Sequence, residues 1–294
     1  MKTFSKILCA VDFSPCSRLT SHYARELAET LSGELVLLHI KPSIAEVYEN
    51  IAPELATYVS HDDFNLQETF NDFSGDWAGR YEKIISTGVP HEEIIHTAEN
   101  LHADLIVIGA KGLSRLERFL LGGTTEKVVR RALCPVLTVH DGDPHLPLES
   151  ILFATDLSDY ANEAWPLAAN LARELKSKVH IVHILELHHH RRRRDEAMHA
   201  AVHQLEAKIR KQLQETLDLA GVDHEITVAE KSNGVAPGLI EMADTLRSDL
   251  IVMPAHGKRP LAHSFIGGNT ERVVRMAHCP VLTVRHAIHS IGKI

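Results

Sequence analysis

Residues 104–139 recur as residues 249–284 without a gap, and 21 of the 36 positions are identical. The offset of 145 residues is domain-sized. Solenoid and propeller repeats run at roughly 20–50 residues, so a chain with this period folds as a duplicated domain rather than a stack of small units. The opening of each copy repeats as well, ILCAVDFS at 7–14 and ILFATDLS at 151–158. The copies meet in Asp141-Gly142-Asp143-Pro144-His145-Leu146-Pro147, a polar stretch with the Pro and Gly of a linker. The expected domains are therefore 1–143 and 144–294. With 294 residues, 44% of them hydrophobic, each copy has enough apolar side chains for its own core.

Each copy alternates short apolar runs with amphipathic stretches. Residues 7–11, 35–40, 105–108 and 136–139 are continuously apolar, the mark of strands covered on both faces, as in a parallel sheet. A helix is expected over 16–31, with Ser14 as N-cap, Pro15 in the first turn and Gly33 just past the end. Others are expected over about 91–101 and 125–133. Copy two repeats the pattern with Ser158 as N-cap of a helix to about Lys176, then carries a long charged helix over about 194–219 ended by Gly221. Residues 44–80, polar and interrupted by Pro53 and Gly75, read as a short helix plus irregular chain. A βαβα order given twice points to an α/β fold with two parallel sheets.

Composition removes several functions. Residues 1–145 carry 13 Lys and Arg against 21 Asp and Glu, and residues 146–294 carry 18 against 18. Neither half has the basic excess that phosphate-backbone binding needs, so no nucleic-acid partner is expected. Apolar runs are strand-sized, so no membrane span is expected, and the first residues lack a signal-peptide pattern. Four cysteines (Cys9, Cys16, Cys134, Cys279) suit buried thiols in a reducing cytoplasm.

In open parallel sheets, ligands bind beyond the carboxyl ends of the strands, near the switch in strand order. Asp12 and its counterpart Asp156 follow the first strand of each copy, and either contact a ligand or cap the next helix. The second signal is the stretch from Gly109 to Thr125. Gly109 and Gly112 permit close backbone approach. Gly122 and Gly123, before a helix, would leave amides pointing at an anion at the positive end of the dipole. Thr124 and Thr125 add hydroxyls, one of them as N-cap. Lys111, Arg115 and Arg118 either supply charge to a phosphate or are solvated.

The run G-x-x-G, nine residues, then G, followed by a T-E-containing helix and C-P-V-L-T-V, resembles the universal stress protein family, as does a first strand ending in V-D-F-S. The resemblance covers essentially the whole chain as a tandem pair. It implies two Rossmann-like domains of the adenine nucleotide alpha hydrolase-like kind, each a five-stranded parallel sheet of order 3-2-1-4-5 flanked by helices. It implies ATP or a related adenine nucleotide, with or without Mg2+, across the first and fourth strands. Asp12 would then lie beside adenine or ribose, Ile40 would pack on the adenine, and Gly109, Gly112, Gly122 and Gly123 would wrap ribose and phosphates. Two departures stand out. Gly123 occupies the place where nucleotide-binding members carry Ser or Thr, with Thr124 one residue late. In copy two, Pro254 replaces Gly109. Copy one is thus expected to bind nucleotide, with copy two degenerate or specialised.

The resemblance also implies that the closing strands, from Cys134 to Val139 and from Cys279 to Val284, pair the two copies as an intramolecular pseudo-dimer, with further homodimerisation open. A redox bridge between Cys134 and Cys279 competes with buried free thiols. Among 21 histidines, a tract holds His180, His183 and His188 to His190, followed by Arg191 to Arg194. His199 and His203, four apart on a helix, are metal-ligand candidates, set against a solvated surface tract. No G-x-S-x-G, P-loop or H-E-x-x-H motif is present. A regulatory nucleotide-binding module is expected over an enzyme, with slow ATP hydrolysis at most, and a nucleotide-free scaffold or metal-handling module as the rival.

Overall fold

A computed structural model describes residues 3–42, 69–70, 73, 81–111, 121–140, 146–186, 196–257 and 266–285. In chain order, copy one contributes β1 (Lys6–Val11), α1 (Pro15–Thr30), β2 (Glu34–Pro42), β3 (Tyr81–Gly88), α2 (Pro90–Asn100), β4 (Leu105–Gly109), α3 (Gly123–Arg131) and β5 (Val136–Val139). Copy two contributes β6 (Ser150–Ala154), α4 (Asp159–Leu175), β7 (Lys178–Glu186), α5 (Glu196–Thr216), β8 (His224–Lys231), α6 (Val235–Thr245), β9 (Leu250–Pro254), α7 (Gly268–Met276) and β10 (Val281–Val284).

The strands form one ten-stranded sheet in the order β3-β2-β1-β4-β5-β10-β9-β6-β7-β8. Each half is a parallel five-stranded sheet of order 3-2-1-4-5, as expected. Successive strand residues enter different cores, because side chains alternate across a sheet. Ile7, Cys9, Val11, Leu35 and Leu37 pack with α1, α4 and α5 residues on one face. Leu8, Ala10, Val36, Leu38 and Ile40 pack with α2, α3, α6 and α7 residues on the other.

Helix starts follow the sequence. Ser14 Oγ accepts the Ser17 amide at 3.1 Å, and Ser158 Oγ accepts the Ala161 amide at 3.3 Å. At the end of α1 the left-handed residue is Ser32 (φ 53), not Gly33. Gly33 is small for another reason: a Cβ there would stand 2.9 Å from the Phe4 carbonyl oxygen.

The halves join by antiparallel pairing of β5 with β10, in which Leu137 faces its own counterpart Leu282. Val281 faces Thr138 and Thr283 faces Val136, so equivalent residues exchange places about that central pair, as in an isologous interface. This register separates Cys134 and Cys279. Each stands three residues before its central leucine on strands that run in opposite directions, which puts them roughly 20 Å apart along the ladder. A disulfide needs Cα atoms within about 7 Å, so of the two alternatives the redox bridge within the chain is ruled out and the free thiols stand. Burial instead pushes both thiols up to about 12.

Strands β3 and β8 are the third strands that the family resemblance implies, though no continuous apolar run marks their residues. Of residues 44–80, Thr69, Phe70 and Phe73 are described and helical; the rest of that expectation lies outside the described residues. No described helix is long and apolar enough to cross a membrane.

Candidate functional site

Strands β1 and β4 lie side by side in parallel, with Cys9 opposite Val107. From β1 the chain turns to α1, whose Tyr23, Ala24 and Leu27 pack on one face of the sheet. From β4 it goes to α3, whose Val128 and Val129 pack on the other. Two neighbouring strands whose connections leave to opposite faces open a crevice beyond their carboxyl ends. The same divergence recurs at β6 and β9.

Asp12, half-buried, lies at the mouth of this crevice. Its Oδ1 accepts the Ser14 amide at 3.0 Å, and Phe13 between them has φ 61. Copy two repeats the turn: Asp156 Oδ1 accepts the Ser158 amide at 3.0 Å and Leu157 has φ 62. A bulky residue in the left-handed region costs about 1 kcal/mol or more, and the aspartate turn holds it there. The capping role weighed for each aspartate falls instead to Ser14 and Ser158, and the aspartates hold the turn just before them. Ile40, 8% exposed, lies two residues before the end of β2 with its side chain in the core on the α3 face.

Two histidines line the same strand ends: His183, already noted in the histidine tract, and His39, which no motif had marked. His39 Nδ1 lies 2.9 Å from the Val11 carbonyl oxygen, and His183 Nδ1 lies 2.8 Å from that of Thr155. A carbonyl only accepts, so Nδ1 carries the proton in both. Burial holds His39 below the usual histidine range, and its ring stacks on Phe13 at 4.3 Å. The signal was available in the repeat, because 39 and 183 stand at the same offset as the V-D-F-S strands.

The other wall runs from β4 to α3. Three local expectations need correction. The N-cap of α3 is Gly122, with no side-chain cap, rather than Thr124 or Thr125. The Thr125 hydroxyl instead donates to the Gly109 carbonyl at 2.7 Å, tying the first turn of α3 to the end of β4. The Gly122 amide is not open to a ligand: it donates to the Ala110 carbonyl at 2.9 Å. Gly109 is packed rather than clear, since a Cβ there would lie 3.0 Å from Cys16 Sγ and 3.2 Å from Thr20 Oγ1.

What stays accessible is the turn itself. The first amides of any helix lack acceptors within it, and they sit at the positive end of the dipole. Among the described residues a Cβ at Gly123 would meet nothing within 4 Å, and Gly123 is exposed. Lys111 lies half-buried just beyond β4. Gly112, Arg115 and Arg118 fall outside the described residues.

Copy two keeps this frame with different contents. The Thr270 hydroxyl donates to the Pro254 carbonyl at 3.0 Å, and the Gly267 amide to that of Ala255 at 2.8 Å. Pro254 has not broken the strand; it pairs with Val284. Gly257 is held tightly, because a Cβ there would fall 2.7 Å from Asp156 Oδ2. Tyr160 and His256 bring their rings to 6.0 Å where copy one has Cys16 and Lys111.

The histidine tract divides. His180 and His183 belong to β7: His180 is buried 3.7 Å from Glu225, and His183 is on the Thr155 carbonyl. Residues 188–194 lie outside the described residues. His199 falls on α5, and His203 is exposed beside Glu206 at 3.3 Å. Among the described residues no three His, Cys, Asp or Glu side chains gather as a metal site.

A model of the universal stress protein family matches residues 3–140 and again residues 147–285. Universal stress protein MJ0577 of Methanocaldococcus jannaschii is 27% identical over 153 residues, covering 46% of this chain and 94% of its own. Universal stress protein YxiE of Bacillus subtilis is 30% identical over 146 residues, covering 46% of this chain and 99% of its own. Each relative therefore corresponds to about half of the chain. At full length, a solved universal stress protein of Archaeoglobus fulgidus superposes with a TM-score of 0.62 at 19% identity, covering 97% of this chain and 99% of that one, which is a likeness of fold.

Proposed function

The chain belongs to the universal stress protein family, and on that premise we propose that the crevice of copy one binds ATP or a related adenine nucleotide as a regulatory ligand. The observation that carries this reading is the open, uncapped first turn of α3 facing the β1–β4 crevice. Among the described residues Gly123 has no neighbour within 4 Å of where its Cβ would be, and no side chain of the cap bonds to the helix end. Phosphate oxygens fit such a turn, because unsatisfied amides and the helix dipole both favour an anion. Lys111 adds a cation beside it, and Asp12 faces the ribose side. Gly109, Gly122 and Thr125 frame the turn; Ile40 completes the proposed set together with Gly112 and Arg115, which lie outside the described residues. Mg2+ would arrive with the phosphates.

Copy two reads as specialised. Asp156 stands hard against Gly257, and the Tyr160–His256 pair fills the position of a thiol and a lysine. Domains 1–143 and 144–294 would work as an intramolecular pseudo-dimer in the cytoplasm, with occupancy of copy one setting what the tandem unit presents to partners. No general base has emerged beside the open turn among the described residues, which favours a sensor over a fast hydrolase.

Titration calorimetry with ATP tests this directly. Gly123→Val should weaken ATP binding by about tenfold or more by filling the space before the turn, while Gly268→Val in copy two leaves it unchanged. Equal affinities in wild type and the Gly123 variant would remove the copy-one site.

A further inference from the structure

The seam between the copies carries a second set of contacts that no ladder requires. His140 follows β5 directly, and Arg285 follows β10 at the equivalent place, 145 residues later. Each side chain reaches the other copy. His140 Nε2, buried, lies 2.6 Å from the Val274 carbonyl in the last turn of α7. Arg285 Nη1 donates to the Ala132 carbonyl at 3.4 Å, and Ala132 is the C-cap of α3. The last carbonyls of a helix have no partner within it and carry the negative end of the dipole, so a donor there is favourable and a cation more so. Each of the helices whose first turn faces a crevice is therefore held at its far end by the opposite copy.

We propose that this reciprocal clamp makes Arg285, a residue of copy two, a positioning residue for the copy-one crevice, and His140 the corresponding residue for copy two. The inference rests on the nucleotide reading above for what the crevice holds, but the clamp itself does not. Helix α3 has nine residues and is tied to β4 by Thr125 at one end and to copy two by Arg285 at the other. An element so short moves as one rod, so an anion that draws on its first amides loads the contact at its last carbonyl. Coupling between sites is carried by packed elements of this kind when both ends bias the same arrangement. Arg285 is partly buried, and the loss of water around it holds its guanidinium below the usual arginine range.

Amide hydrogen exchange of the full-length protein, wild type against Arg285→Ala, Arg285→Lys and His140→Ala, tests the clamp without any ligand. Arg285→Ala should speed exchange in α3 of copy one and spare α7, and His140→Ala should do the reverse. Faster exchange confined to the mutated copy, or equal loss in both helices, overturns the clamp. ATP titration of the same variants tests the coupling. Arg285→Ala should weaken binding by about tenfold and Arg285→Lys should restore most of it, since the cation at the helix end returns. Unchanged affinity beside a loosened α3 overturns the positioning role. Absence of ATP binding in the wild type would retire the nucleotide reading alone, with exchange still deciding the clamp.

Discussion

At the scale of single residues, glycines with similar surroundings in the sequence carry opposite constraints in space. Gly33 is needed because a side chain would press on the Phe4 carbonyl at 2.9 Å, backbone that cannot yield cheaply. Among the described residues, a Cβ at Gly123 or at Gly268 would meet nothing within 4 Å, and neither glycine has a positive φ. Gly33→Ala should therefore lower the urea midpoint, at a cost of about 1–3 kcal/mol. Gly123→Ala should leave stability unchanged or raise it by about 0.4–1 kcal/mol, since it narrows the unfolded ensemble without native strain. Unchanged stability in the second variant, together with weaker ATP binding in its valine counterpart, would assign Gly123 to ligand access rather than to folding.

Among the elements, the first turns of α3 and α7 are fixed by one hydroxyl each. Thr125 donates to Gly109 in copy one and Thr270 to Pro254 in copy two, both from buried positions. Removing such a donor loses the bond and leaves a buried carbonyl short of a partner, a cost of about 1–2 kcal/mol. Thr125→Val, nearly the same shape, should show that loss in urea unfolding and weaken ATP binding by releasing the helix end from the strand. A chain binding ATP as before with a freed α3 would contradict the rigid-turn account. The position was legible as part of the glycine-rich stretch, but its role was not. Adjacent residues alone suggested a cap, and the acceptor, 16 residues upstream, lies on another element.

For the molecule as a whole, a continuous sheet binds both copies into one set of cores, and histidines on its strands and on the helices that cover it make that assembly sensitive to acid. Burial holds His22, His39, His91 and His180 below the ordinary histidine value of 6.5. Above that pH the imidazoles are neutral in both folded and unfolded chains and contribute no difference. Below it the unfolded chain takes up protons first, so stability falls as pH drops from about 7 towards 5. Urea midpoints at about pH 7, 6 and 5 should decline in order, in a window above the one in which carboxylates titrate. A flat profile would mean that these rings gain protons as readily in the folded state.

The sequence alone determined the duplication, the strands buried on both faces, the capped starts of α1 and α4, and the glycine-bearing stretch that reaches the crevice. All of these depend on neighbours along the chain: period, continuous hydrophobicity and cap chemistry. Only the tertiary structure decided the rest. Strands β3 and β8 close the sheet at its edges, where partial burial lets polar residues interleave and erases the continuous apolar run. Whether the Gly122 amide was open, which residue took the left-handed turn after α1, and how far apart Cys134 and Cys279 lie all hang on contacts between distant segments. The pairing of Leu137 with Leu282, and the reach of His140 and Arg285 across that seam, follow from the antiparallel register of two strands 145 residues apart, and no local pattern encodes a register between them.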